Sequence, residues 1–123
     1  MPLEARGGVL YVDARVNGAP EALRLILDTG ASHTAISARA AARLGVSPTD
    51  RGQRVPVRTA NGLVSASPAV LDSVELGELR VEDVEALILE GLEGADGLLG
   101  LSFLERFHFE VRQEDGYVAL RRR

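Results

Sequence analysis

The residues best suited to chemistry lie at positions 25–34, LILDTGASHT. Three apolar residues lead directly into Asp28, and Thr29 and Gly30 follow it. The stretch has two interpretations: a plain turn that closes a strand, or a catalytic carboxylate held rigidly at the bottom of a cleft. A glycine after the carboxylate lets the backbone approach a site closely, and the Thr29 hydroxyl can hydrogen-bond to a partner strand and lock the loop.

A carboxylate in such a loop performs little hydrolysis alone. Two carboxylates about 3 Å apart cannot both ionise, so they share one proton. One of them then acts as base and the other as acid on a single bound water. Such a pair attacks a peptide carbonyl without a metal ion and without a covalent intermediate.

The bulk composition fits one globular domain, assigned to residues 1–123, and excludes several classes of protein. The net charge of −4 disfavours a nucleic-acid binder, which usually carries a basic face. The chain contains no cysteine, so disulfides and thiolate metal sites are excluded. Its two histidines lack the spacing of a metal site, and we predict neither a metal nor a cofactor.

The beginning of the chain, MPLEARGGVLYV, lacks the basic segment and long apolar run of a signal peptide. No stretch approaches the roughly 18 apolar residues that a membrane span requires. The sequence therefore predicts a soluble, cytoplasmic protein without a membrane partner. A chain from which a leader or an anchor had been removed would look the same.

Local signals predict two early elements. The β-rich runs 9–16 and 22–27 flank Asn17-Gly18, which is a hairpin signal. Residues 37–45, SARAAARLG, predict a short helix in which Ser37 is the N-cap and Gly45 ends the helix.

The second half of the chain predicts further strands. Residues 53–71 look like a long hairpin with a turn at 60–62, and Pro56 and Pro68 suggest that it stands away from the main sheet. The runs at 73–77, 79–84 and 85–90 predict separate strands with turns between them. A capping box of Ser102 and Glu105 predicts a helix at about 103–107, and a final hairpin turns at 114–116. This pattern of many short strands and two short helices favours an all-β barrel or sandwich.

Three segments together resemble the retropepsin-like aspartic proteases, especially their small single-domain members, which include bacterial ones. The matching residues are LILDTGASHTAIS at 25–37, TANG at 59–62 and GLLGLSFLERF at 97–107. The resemblance implies an all-β closed barrel or sandwich with a flap hairpin and one or two short helices. It also implies an aspartic endopeptidase that binds extended polypeptides.

The resemblance assigns roles residue by residue. Asp28 is the catalytic acid and base, and the other assigned residues are the active-site loop (Thr29, Gly30), the substrate-binding cleft floor (Ala31, Ser32), the substrate-binding flap tip (Asn61, Gly62) and the support packed behind the loop (Leu98, Leu99, Gly100). Because Ala31 cannot donate a hydroxyl to the aspartate, we expect a less acidic working pH than a serine at this position would give.

The chain has a single Asp-Thr-Gly, whereas two-lobed aspartic proteases carry two copies in one longer chain. The second aspartate must then come from another subunit, which predicts a two-fold symmetric homodimer with one Asp28 from each chain at the axis. Three alternatives stay open: a dimeric peptide-binding or scaffold module of the same fold with little turnover, an enzyme of very narrow specificity, and a plain β-barrel interaction domain whose Asp-Thr-Gly is only a turn.

Overall fold

Strands dominate the computed structural model of the chain, which describes residues 4–6, 9–28, 31, 33–49, 54–59, 62–92, 94–112 and 117–122. The strands are β1 (Glu4–Arg6), β2 (Val9–Val16), β3 (Leu23–Leu27), β4 (Thr34–Ser37), β5 (Val55–Thr59), β6 (Gly62–Leu76), β7 (Leu79–Leu89), β8 (Gly97–Leu99), β9 (Phe107–Arg112) and β10 (Tyr117–Arg122). The helices are α1 (Ala38–Leu44) and α2 (Leu101–Leu104). This content confirms the all-β prediction with short helices.

Within the described residues, eight strands form one mixed sheet in the order β1-β2-β3-β8-β4-β7-β6-β5. An additional antiparallel pairing joins β2 to β6, with Arg15 opposite Glu75 and Val16 opposite Val74. Because β2 and β6 lie near opposite ends of that order, their pairing closes the sheet into a barrel. The β3–β8 and β4–β7 pairs are parallel, and the other described pairs are antiparallel. Strands β9 and β10 form a separate antiparallel pair.

Two groups of buried apolar side chains fill the fold. The larger group occupies the barrel interior and includes Leu25, Leu71, Leu99, Phe103 and Phe107, each at most 1 % exposed. The rings of Phe103 and Phe107 lie 5.2 Å apart, within the range of favourable aromatic pairs. The smaller group is Ala35, Ala66, Leu87 and Leu89, against which Val57, Val64 and Leu98 pack. The larger group therefore holds the barrel, and the smaller one holds the base of the β5–β6 hairpin.

The predicted hairpin at 53–71 is present, but its second strand is longer than expected. Strand β6 pairs with β5 from Gly62 to Ala66 and with β7 from Ala66 onward, so the β5 end of the hairpin projects beyond β7. Pro56 lies on the edge strand β5, as predicted. Pro68 lies beyond the end of β5, and its carbonyl accepts hydrogen bonds from Thr49. The missing N–H of Pro68 therefore leaves β6 unbroken.

The expected turns near residues 72 and 84–85 are wrong, since β6 and β7 are each continuous. Asp83 instead has a φ of 54°, a backbone conformation that non-glycine residues rarely adopt. The Arg106 guanidinium donates to the carbonyl oxygens of Glu82 and Asp83 at 3.1 and 3.2 Å. These two long-range hydrogen bonds provide a donor for the carbonyl groups of the irregular backbone, and no local sequence signal marks them.

The predicted caps of α1 are confirmed, whereas the capping box predicted for α2 is not. The Ser37 hydroxyl accepts a hydrogen bond from the Ala40 N–H, and Gly45 ends the helix with a φ of 72°. Helix α2 begins about two residues earlier than predicted, directly after Gly100, and Glu105 is its C-cap. The Ser102–Glu105 capping box is therefore wrong, because Ser102 lies inside the helix and hydrogen-bonds elsewhere.

The final hairpin forms as β9 and β10, while its turn lies outside the described residues. Among the residues described, neither helix is long enough and apolar enough to cross a membrane.

The Asn17-Gly18 turn contributes to barrel closure as well as to the β2–β3 hairpin. Both residues have positive φ, and the Ala19 N–H donates to the Val16 carbonyl at 3.1 Å, which is a hairpin turn of the primed type. The Asn17 Oδ1 accepts the N–H groups of Asp72 and Ser73 at 2.7 and 3.3 Å. Asn17 thus joins the turn to β6 next to the β2–β6 pairing.

Replacing Asn17 tests this closure. Asn17→Ala removes the acceptor and places alanine at positive φ, so we expect a loss of about 2 kcal/mol in unfolding free energy. Asn17→Asp keeps the acceptor and should lose less than half of that amount. Urea unfolding at one fixed protein concentration measures both, and equal losses in the two variants would contradict the role of the Oδ1 contacts.

Candidate active site

Asp28 stands directly after β3, at the point where the strand leaves the barrel. Leu23, Leu25 and Leu27 alternate into the core along β3, which places Ile26 on the opposite face. Asp28 continues that alternation and is partly exposed. Its N–H donates to the Leu99 carbonyl at 3.0 Å and extends the β3–β8 pairing by one hydrogen bond. The sheet itself therefore positions the backbone that carries the carboxylate.

The β5–β6 hairpin lies on the same side of the sheet as Asp28. Leu98 is opposite Ile26 in the parallel β3–β8 register and shares its face, while Leu99 points into the core. Leu98 packs in the smaller apolar group, together with Val57 of β5 and Val64 of β6. The base of the hairpin thus rests on the face that Ile26 and Asp28 share.

Gly100 lies against the backbone that follows Asp28. The Leu101 N–H donates to the Ala31 carbonyl at 2.8 Å, and the Ala31 N–H donates to the Asp28 carbonyl at 3.3 Å. A Cβ on Gly100 would stand 2.6 Å from the His33 carbonyl carbon and 2.8 Å from the Ala31 oxygen. Only a residue without a side chain permits this approach, which gives Gly100 a physical role at the site.

Two hydroxyl residues that the sequence did not assign to the site lie at the end of the same segment. The Ser102 hydroxyl accepts the Thr34 N–H at 2.9 Å, and the Gly100 N–H donates to the Thr34 hydroxyl at 3.3 Å. Thr34 is only 1 % exposed. The sequence signal for Thr34 was its position as a polar residue at the start of the apolar strand TAIS. A buried hydroxyl there needs a hydrogen-bond partner, which would have indicated a structural contact.

Asp96 anchors the glycine-rich loop at 91–97 and was also missed. Its carboxylate accepts the Arg24 N–H at 2.9 Å and forms an ion pair with Arg43 at 3.2 Å. Its N–H donates to the Arg24 carbonyl, and its carbonyl accepts the Ser37 N–H, each at 2.8 Å. Asp96 therefore ties the loop before β8 to β3 and to the start of α1.

The structure brings Asp28, Ala31, Leu99 and Gly100 together, and Leu99 and Gly100 are buried. Gly62 begins β6 opposite Thr59 at the projecting end of the hairpin. Four residues with predicted site roles lie outside the described residues: Thr29, Gly30, Ser32 and Asn61.

Residues 12–106 match the model of a protein family described as gag-polyprotein putative aspartyl protease. The chain belongs to this aspartyl protease family. The match runs from within β2 to just beyond α2, and so includes Asp28, the hairpin and the Gly100 turn.

Two curated relatives of this family member are bacterial and uncharacterised. A Sinorhizobium protein encoded in the cobV 5′ region is 32 % identical over 82 residues, which are 67 % of this chain and 35 % of the relative. A protein of Rickettsia prowazekii is 35 % identical over 101 residues, which are 81 % of this chain and 42 % of the relative. The chain thus spans less than half the length of the curated relatives that it matches.

Solved structures confirm the retropepsin-like fold of this family member. A retropepsin-like aspartic protease from Rickettsia conorii is 30 % identical, with a TM-score of 0.69 over 91 % of each chain. The retroviral protease-like domain of Ddi1 from Leishmania major is 20 % identical, with a TM-score of 0.63 over 91 % of this chain and 87 % of that one. The inhibitor-bound EIAV protease is 19 % identical, with a TM-score of 0.52 over 77 % and 84 %. The last two show the fold alone.

A substitution at Gly100 tests the close approach. In Gly100→Ala the new Cβ would meet two backbone carbonyl groups, which cannot yield as a flexible side chain can. We expect a loss of about 3 kcal/mol or more in unfolding free energy, or failure to fold.

Gly18→Ala is the matched control, because Gly18 has a φ of 71° and no atom within 4 Å of an added Cβ. It should lose only about 1 kcal/mol from backbone strain. Thermal unfolding compares the two variants, and a Gly100→Ala protein as stable as Gly18→Ala would refute the contact.

Proposed function

We propose that this aspartyl protease family member is an aspartic endopeptidase, in which the Asp28 carboxylates of two identical subunits activate one water molecule. The observation that carries the proposal is the position of Asp28. It is a partly exposed carboxylate on a backbone fixed to β8, and it shares a sheet face with the base of a projecting hairpin.

Two subunits are needed because the chain has one Asp-Thr-Gly. A lone carboxylate cannot serve as acid and base on the same water, whereas two carboxylates that share a proton can. A two-fold axis beside Asp28 supplies the second carboxylate in the equivalent environment. The site is therefore incomplete in one protomer.

The reaction then balances with side chains and water alone. The water oxygen attacks the peptide carbonyl carbon, and one Asp28 carboxylate removes a proton from that water. The protonated Asp28 of the other subunit donates a proton to the carbonyl oxygen. When the tetrahedral diol collapses and its C–N bond breaks, the Asp28 that took the water proton gives it to the leaving nitrogen, and the other Asp28 recovers a proton from a diol hydroxyl. No metal or cofactor takes part in this scheme.

Substrates in this proposal are extended polypeptides bound between the sheet face of Asp28 and the β5–β6 hairpin. An extended peptide offers side chains alternately to the two sides of such a cleft. Leu63, next to Gly62 at the projecting end of the hairpin, is 68 % exposed. An apolar side chain at that point suits contact with a bound chain. The cytoplasmic location stays a prediction from the sequence.

The Asp28→Asn variant tests the catalytic assignment. Amide in place of carboxylate removes both the base and the shared proton, so cleavage of a diverse peptide library should fall by at least about a thousandfold. Asp72→Asn is the matched control, because Asp72 is an exposed carboxylate on β6 and should leave cleavage unchanged. Peptide fragments are identified by mass spectrometry.

Mixing the two forms separates the enzyme from its alternatives. If the site is shared, an excess of Asp28→Asn subunits should suppress wild-type cleavage by forming mixed dimers. Equal cleavage by wild type and Asp28→Asn would refute the catalytic assignment. A wild-type dimer that binds peptides or a hydroxyl-containing transition-state mimic without cleavage would establish the peptide-binding module instead.

The residue after Gly30 sets a second test. A serine at position 31 could donate a hydrogen bond that favours the ionised carboxylate, and alanine cannot. The Ala31→Ser enzyme should therefore retain its rate to lower pH than the wild type. Rate profiles of both enzymes against pH measure this, and an unmoved acid limb would contradict it.

A further inference from the structure

The Thr34 and Ser102 side chains join three parts of the chain behind the candidate site. Their hydroxyl oxygens lie 3.0 Å apart, and the Ser102 oxygen is also 3.2 Å from the Glu85 carbonyl. Thr34 begins β4, Ser102 lies in α2 and Glu85 lies in β7. The pair therefore links the end of the segment after Asp28 to the helix behind it and to the neighbouring strand.

One arrangement of protons satisfies every group in this cluster. The Gly100 N–H donates to the Thr34 hydroxyl oxygen. The single Ser102 hydroxyl proton is within reach of both the Thr34 hydroxyl oxygen and the Glu85 carbonyl, and when it is donated to Glu85 the Thr34 hydroxyl donates to Ser102. The Ser102 oxygen also accepts the Thr34 N–H, and its own hydroxyl donates to the Glu85 carbonyl. Since each donor has one acceptor, the hydrogen bonds orient one another and fix a single geometry.

This cluster and the backbone contacts of Asp28 hold the two ends of one short segment. At its start, the Asp28 N–H is bound to the Leu99 carbonyl; in its middle, the Ala31 carbonyl is bound to the Leu101 N–H. At its end, Thr34 is bound to Gly100 and Ser102. These partners belong to four consecutive residues, 99–102, so a shift of this turn would move Asp28, Ala31 and Thr34 together.

We propose that Thr34 and Ser102 are positioning residues, whose paired hydroxyls set the placement of the Asp28 carboxylate for the reaction. The catalytic consequence of this inference rests on the proposed function. The two hydroxyls act through the backbone and are assigned no contact with substrate or with the reacting water. Its structural half concerns the backbone from Asp28 to Thr34 and is measurable in any folded sample.

The test compares Thr34→Val and Ser102→Ala with two controls. Both test variants remove a hydroxyl from the cluster and leave a backbone N–H without its acceptor. Thr34→Ser keeps the hydroxyl. Thr49→Val makes the same chemical change at an exposed threonine that donates to the Pro68 carbonyl at 3.0 Å, away from this cluster.

In the active enzyme, Thr34→Val and Ser102→Ala should each lower kcat by roughly 10- to 100-fold with KM within about threefold, as expected when a reacting group is displaced. Thr34→Ser and Thr49→Val should stay within about threefold of wild type in both constants. The double variant should be little worse than the poorer single variant, because the two hydroxyls act as one unit.

Amide hydrogen exchange followed by NMR provides the readout that does not depend on activity. Protection of the Asp28, Ala31 and Leu101 amides should fall about tenfold or more in Thr34→Val and Ser102→Ala, and stay unchanged in both controls. If the wild type cleaves no peptide, the proposed function fails, and exchange alone decides the structural half of the inference.

Two results would overturn the inference. One is wild-type protection of these three amides in both hydroxyl-removing variants. The other is reduced protection with a kcat equal to that of Thr49→Val, which would leave the pair a purely structural role.

Discussion

The close contact between two backbone segments, one after β3 and one after β8, is the constraint on which the candidate site depends. The parallel β3–β8 pairing delivers both segments to the same edge of the barrel, and the Asp28 N–H continues it to Leu99. Gly100 then lies against the Ala31 and His33 carbonyl groups with no room for a side chain. Because backbone atoms form both sides of this contact, the two segments can shift little relative to each other. The sheet therefore determines where the Asp28 carboxylate lies.

Strand β6 connects that contact to the rest of the fold. It pairs with β7 from Ala66 to Leu76, its C-terminal part also closes the barrel on β2, and residues 62–65 pair only with β5. One continuous strand therefore runs from the barrel seam to the projecting hairpin. Since Val64 of this strand and Leu98 of β8 both pack against the smaller apolar group, the hairpin base and the β8 segment behind Asp28 share one apolar group. The placement of the hairpin relative to Asp28 thus follows from barrel closure.

Local signals predicted the parts of this structure that local chemistry determines. The Asn17-Gly18 turn and the caps of α1 need only a few neighbouring residues, and both are where the sequence placed them. Ser102 was assigned to a local capping box, but its hydroxyl binds Thr34, which is 68 positions away. Within β7 the carbonyl groups of Glu82 and Asp83 likewise bind Arg106, which is 24 and 23 positions away. Sequence patterns cannot reveal such partners, because they become neighbours only once the barrel has closed.

The hydrogen-bonded pair of Thr34 and Ser102 is better explained by geometry than by stability. A net gain of about 1 kcal/mol for each hydrogen bond is no more than well-packed apolar side chains would supply in the same space. Hydrogen bonds differ from apolar contacts in having direction, so they hold a backbone at one orientation. In the proposed dimer the orientation of this backbone affects both carboxylates, because symmetry repeats any displacement of Asp28 in the other subunit. The distance between two carboxylates that must share one proton would then change by as much as twice the displacement of either.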